Sequence, residues 1–87
     1  MHLYLVSQAE NDDWNTYESM VVCASDAETA RRVSPLTGSV KDVDSYGRFV
    51  DPCTTWAQQL NSVTVKYIGV AHESVLPGVV CASFNAG

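Results

Sequence analysis

The sequence predicts an α+β domain in which a small antiparallel sheet of about four strands carries one helix packed on one face. Three observations carry this. Short runs rich in β-branched and aromatic residues lie near both ends of the chain, which is strand composition. A single helix-start signal, Ser25-Asp26-Ala27-Glu28, stands between the second and third of those runs. The length, 87 residues, is enough for one hydrophobic core and not for two, so residues 1–87 are read as a single domain. The order β-β-α-irregular-β-β groups strands instead of alternating them with helices, and grouped strands favour an antiparallel sheet.

The first run, Leu3-Tyr4-Leu5-Val6, reads as a strand with both faces covered. The following stretch QAENDDWNTY is dense in Asn and Asp, whose side chains bond nearby backbone, and it reads as a loop or a wide hairpin connection. Residues 20–24 (MVVCA) form the second strand. Ser25 then caps a helix over residues 26–33, with Glu28 reaching back to the Ser25 amide as a capping box. Asp26 and Glu28 suit the positive end of the helix dipole, and Arg31 and Arg32 suit the other end. Ala27, Ala30 and Val33 recur at a spacing that faces a sheet, and Pro35 ends the helix.

Residues 34–62 show no clear period. Gly38, Gly47 and Pro52 punctuate mixed charge and scattered aromatics (Tyr46, Phe49, Trp56), and residues 55–60 suggest a helical turn capped by Thr54 or Thr55. A connection of this length in a small domain is functional or holds structure of its own. In VTVKYIGV, Val63, Val65 and Tyr67 alternate with Thr64, Lys66 and Ile68, the pattern of a half-buried strand. A turn over AHESVLPG leads to the last strand, residues 79–84, and the simplest pairing of these two strands is an antiparallel hairpin.

Charge and cysteine usage narrow the function classes. Ten acidic residues against five basic ones give a net charge of −5, where a nucleic-acid reader normally presents a basic face, so direct nucleic-acid binding is not expected. No apolar run reaches the roughly 18 residues of a membrane span, and the MHLYLVSQ start lacks the basic stretch of a signal peptide. The expectation is a soluble intracellular protein. Three cysteines without a CxxC pair read as reduced thiols: Cys23 and Cys81 sit in apolar runs as small core residues, and Cys53 lies in a turn-like stretch.

Catalytic patterns are weak. A Cys53–His72 pair is conceivable, but neither position is set apart, and surface His with loop Cys is the simpler reading. Glu10, Asp12 and Asp13 lie close together, yet Trp14 interrupts where a calcium loop would continue and no central Gly follows. The glycines, at positions 38, 47, 69, 78 and 87, form no phosphate loop. The expectation is a protein without catalytic residues, metal or cofactor.

What remains is surface chemistry. Glu10, Asp12, Asp13 and Glu18 surround Trp14 and Tyr17, and a second acidic group, Asp42, Asp44 and Asp51, flanks Tyr46 and Phe49. Carboxylates steer a protein toward a basic partner, and loop aromatics supply interface anchors. Two negative patches with embedded aromatics could also complement a nucleic-acid-binding groove. The candidate partner-binding residues are therefore Glu10, Asp12, Asp13, Trp14, Tyr17, Glu18, Asp42 and Asp44. The alternative is that Trp14 and Tyr17 fold back onto the sheet and leave a merely hydrophilic loop.

The two ends of the chain resemble a family of small tailed-bacteriophage proteins. The resemblance rests on LYLVSQ with Asn11 near the start, on Thr16, Tyr17, Ser19, Val21, Val22 and Ala24, on Ala30-Arg31 with Pro35, and on VxVxYIGxA and PGVVCASFNAG near the end. It covers about half the chain; residues 39–62 depart from the shorter tryptophan-containing linker of that family. The resemblance implies a phage origin and action in the bacterial host cytoplasm, and supplies no catalytic residues. Small acidic phage proteins of this kind are similar in class to anti-CRISPR proteins, which bind a Cas effector complex and block DNA targeting. The expected function is thus an inhibitor of a host defence complex. The alternative is a non-catalytic phage accessory or structural protein that self-associates through a sheet edge or an apolar face.

Overall fold

The computed structural model describes residues 1–11, 14–50 and 55–85, with Asn85 by its backbone only. Strands β1 (His2–Gln8), β2 (Thr16–Ala24), β3 (Val63–Val70) and β4 (Gly78–Asn85) form one antiparallel sheet in the order β3-β1-β2-β4. A short helix, α1 (Ala27–Arg31), and a 3-10 turn (Leu60–Ser62) complete the α+β fold.

β1 is the centre of the design. Alternation sends Tyr4, Val6 and Gln8 into the interior, while Leu3, Leu5 and Ser7 face outward. It pairs with β2 along one side (Val6↔Met20, Tyr4↔Val22) and with β3 along the other (Val6↔Val65). Only one of its faces is covered. Leu5 is exposed and shares the open face of the sheet with Ser19, Val21, Cys81 and Ser83, so the expectation of a strand buried on both faces is corrected. Antiparallel sheets commonly solvate one face, and serines on this one fit that use.

The wide β1–β2 hairpin is as expected, with Asn15 in the left-handed region at φ 63° just before β2. The expected β3–β4 hairpin is not: the two strands lie at opposite edges of the sheet. Residues 71–77 cross the end of β1 and β2, anchored by the Ala71 N–H donating to the Met1 carbonyl at 3.1 Å. Three strand spacings are roughly 14 Å and those seven residues reach about 23 Å, so the crossing needs no strain. Sequence neighbours usually pair, but here β3 takes the free edge of β1 and β4 takes the free edge of β2.

The helix is shorter than expected, five residues, and its cap is Asp26 instead of Ser25. The Asp26 carboxylate accepts from the Thr29 N–H at 2.7 Å, and that bond leads the contacts that hold its pKa below the ordinary value. Glu28 does not reach back; it pairs with Arg32 at 3.4 Å along the helix.

Residues 34–50 and 55–62 form the second layer with α1. Phe49, Trp56 and Ala57 join Tyr4, Val6, Met20, Val22, Ala30 and Val33 in a single core. The helical turn expected at residues 55–60 is displaced to the 3-10 turn at Leu60–Ser62. The segment is held by backbone bonds outside regular elements: Lys41 N–H to the Arg32 carbonyl (2.8 Å), Phe49 N–H to Gln58 (2.9 Å), Leu60 N–H to Gly47 (2.9 Å) and Tyr17 N–H to Thr55 (2.8 Å). Such bonds meet the polar demand of irregular buried chain. Cys23 is buried as expected, whereas Cys81 is exposed on the open face; Cys53 and Asp51 lie outside the described residues.

Candidate functional site

The β1–β2 turn and the 44–48 turn hold most of the candidate residues, and the structure divides them by task. Glu10 is a clasp. Its carboxylate accepts from the Gln58 N–H at 2.8 Å and the Gln59 N–H at 3.3 Å, tying the β1–β2 turn to the second layer. Burial works against its charge, but the bonds from Gln58, the Ser62 side chain and Gln59 outweigh it and hold the carboxyl below its ordinary 4.5. Asp44 shapes its own turn: Oδ1 accepts from the Tyr46 N–H at 2.9 Å and the Arg48 N–H at 3.0 Å, while Gly47 takes the left-handed φ of 78° that the turn needs.

The two groups meet through Gln59, which donates to Glu10 and bridges to Arg48. Asp42 and Glu18 are exposed, Glu18 as the extra residue of a bulge in β2. Asp12 and Asp13 lie outside the described residues.

The aromatics separate as well. Trp14 is 69% exposed at the β1–β2 turn, so it does not fold back over the sheet. Tyr17 does fold back in part: it is half-buried, packs on the core and stacks edge-on to Phe84 at 4.8 Å between ring centroids. Phe49 belongs to the core, and Tyr46 is 86% exposed. Tyr46 borders an open depression of about 440 Å³ with Asp44, Arg48 and Gln59. Arg48 and Gln59 were not singled out from sequence; the signal was the Asp-x-Tyr-Gly-Arg turn, which brings Arg48 back beside Asp44.

His72 is engaged locally, its Nδ1 accepting from the Ser74 N–H at 3.1 Å and lying 2.7 Å from the Ser74 hydroxyl. Among the described residues, no three His, Cys, Asp or Glu side chains are grouped to hold a metal ion, and no helix is long and apolar enough to cross a membrane.

The Glu10 clasp has a measurable pH signature. Because the folded carboxyl titrates below 4.5, its contribution is present above that pH and is lost as the pH falls through the folded value. Glu10→Gln is expected to lose about 1 kcal/mol at neutral pH, a figure reduced for solvent screening at an exposed carboxylate. Urea midpoints measured across the acid range are expected to converge for the two proteins as the pH drops. A constant gap at every pH would remove the carboxylate from the clasp.

Fold and site together define a two-layer α+β domain that presents exposed aromatic side chains on two turns. No known protein family, no curated protein and no solved structure matches the chain.

Proposed function

We propose that this chain is a non-catalytic binding protein that docks a protein partner through the Trp14 turn, acting as a phage-encoded inhibitor of a host defence complex. The 69% exposure of Trp14, in a stretch of sequence that also holds Asp12, Asp13 and Glu18, is the observation that carries the docking. A large aromatic held in water has its area available for an interface, and surrounding carboxylates guide a basic partner to it. The kind of partner rests on the resemblance to tailed-phage proteins at the two ends of the chain and on the acidic balance. An effector that grips nucleic acid offers a basic groove, and a CRISPR–Cas effector in the bacterial cytoplasm is the partner this reading names. Glu10 and Asp44 leave the list of contact residues in this reading, since their carboxylates serve the turns.

The experiment is affinity capture of tagged protein from a CRISPR-bearing bacterial host, with mass spectrometry of what co-elutes. Cas effector subunits are expected in near-stoichiometric amount. Trp14→Ala is expected to weaken that association about 30-fold or more, the scale of an interface anchor, with no change in thermal stability. Asp12→Lys with Asp13→Lys is expected to weaken it through slower association. Equal capture by the Trp14→Ala protein would end the reading, as would recovery of the chain alone.

A further inference from the structure

We infer that β4 is a homodimerisation strand: two copies of the chain join β4 to β4 antiparallel about a two-fold axis at Ser83, making one eight-stranded sheet. The inference stands on the sheet edges and is independent of the Trp14 reading.

The two edges of the sheet differ in how they are defended. Edge strands expose unpaired backbone donors and acceptors, and native proteins blunt them with charge, proline or a bulge. β3 carries Lys66 in its middle and a register shift beside Tyr67. β4 reads GVVCASFN and holds no charged residue, in a chain whose net charge is −5. Its own bulge adds Val80 near the start of the strand, between the Val79 and Cys81 pairings. From residue 81 to 85 the strand runs on with no extra residue of its own, since the later shift belongs to Glu18 of β2. That run is long enough to pair.

Symmetry selects the occupant and the register. A two-fold pairing sets each strand against itself, so a charged edge repels its copy and an uncharged one does not. Pairing through β3 would bring Lys66 toward Lys66 of the second copy. With the axis at Ser83, Phe84 faces Ala82 of the second copy, and Ala82 faces Phe84 in return. Alternation puts both on the face of the sheet that packs Met20 inward. Phe84 is 44% exposed and packs against Tyr17, and Ala82 is small, so in this register the large residue meets the small one twice. Two chains of like charge repel at long range, so added salt tightens this pairing.

Sedimentation equilibrium of the whole chain through the micromolar range tests it, a range suited to a small interface. The expected result is a monomer–dimer equilibrium, shifted toward dimer by salt. Ser83→Lys is expected to give monomer with an unchanged far-UV spectrum and urea midpoint, because Ser83 is exposed on the open face. Thr64→Lys, on the same face of β3, is expected to leave the dimer intact, and so is Trp14→Ala. A positive readout guards against trivial failure. Antiparallel partners sit about 4.5–5.5 Å apart at Cα, within disulfide reach. Ser83→Cys in a Cys53→Ser, Cys81→Ser background is therefore expected to cross-link under mild oxidation. A monomer at every concentration, a dimer indifferent to Ser83→Lys, or one broken by Thr64→Lys would each overturn the inference. Pairing of β4 with a strand from another protein would show as the first of these.

Discussion

Val6→Asp is expected to leave the chain largely unfolded at neutral pH, while Ser7→Asp, one residue along, folds as the parent does. Val6 is fully buried on β1, the strand that binds both β2 and β3, with Met20 and Val65 as its cross-strand partners. Neither cross-strand partner offers a cation to a carboxylate there, and an uncompensated buried charge costs about 3–5 kcal/mol. The lost burial of the valine adds about 2 kcal/mol. A chain of 87 residues has a total stability of roughly 4–13 kcal/mol and, at this size, sits toward the lower part of that range.

Ser7 points to the open face, where Ser19 and Thr64 are its neighbours, and a carboxylate there stays in water. The expected change is within about 1 kcal/mol. Near-UV circular dichroism and amide dispersion in NMR distinguish the two. Both variants surviving would mean that β1 is not held between two partner strands, and the reverse outcome would mean that the strand is slipped by one residue, since a slip exchanges its faces.

The four strands and the one helix were legible in the sequence, but the one-sided burial of β1 that makes this prediction possible was not, since its apolar run reads as covered on both faces. Those signals are local: period two in VTVKYIGV, the Ser25-Asp26-Ala27-Glu28 helix start, a polar turn around Trp14. Strand order was not legible, because nothing within residues 63–85 distinguishes a hairpin from a crossing of the sheet end; the choice lies in which edges β1 and β2 leave free. The burial of Cys81 was misjudged for the same reason. GVVCA and MVVCA look alike, but Cys23 lies under the crossing segment, its Sγ 3.9 Å from the Val75 carbonyl, whereas Cys81 lies on the open face beside Leu5 and Val21.

In residues 34–62 the bonds that define the segment join positions far apart with no period to mark them, such as Tyr17 to Thr55. The candidate site was half legible. Exposure of Trp14 could be guessed from its polar company, whereas the engagement of Glu10 with Gln58 and Gln59 links residues 48 and 49 positions apart.

Trp56→Ala is expected to lose about 3–5 kcal/mol and to unfold the sheet together with the second layer. Trp56 is 3% exposed and belongs to the same core as Tyr4, Val6 and Val22. With Phe49 and Ala57 it borders a partly open cleft of only about 10 Å³ beside Arg32, Ser34 and Lys41, so little space is left around the indole. Removing the indole opens a cavity that the chain around it cannot readily refill, because the Tyr17–Thr55 and Glu10–Gln58 bonds fix the backbone on either side of Trp56. Among the described residues the rest of the cover on that face is slight: α1 is five residues long and brings only Ala30 into the buried core.

Trp56→Phe separates the ring from its nitrogen. The Trp56 Nε1 is buried without a hydrogen-bond partner among the described residues, so losing it relieves an unmet donor while most of the packing stays. That variant is expected to stay within about 1.5 kcal/mol of the parent. Hydrogen exchange gives the sharper reading: in Trp56→Ala the amides of Val6, Val22, Phe49 and Leu60 are expected to lose protection together, as one cooperative unit. If Phe49 and Leu60 were to open while Val6 and Val22 stayed protected, residues 34–62 would be an appended loop, and the sheet would owe its stability to α1 and its own pairing alone.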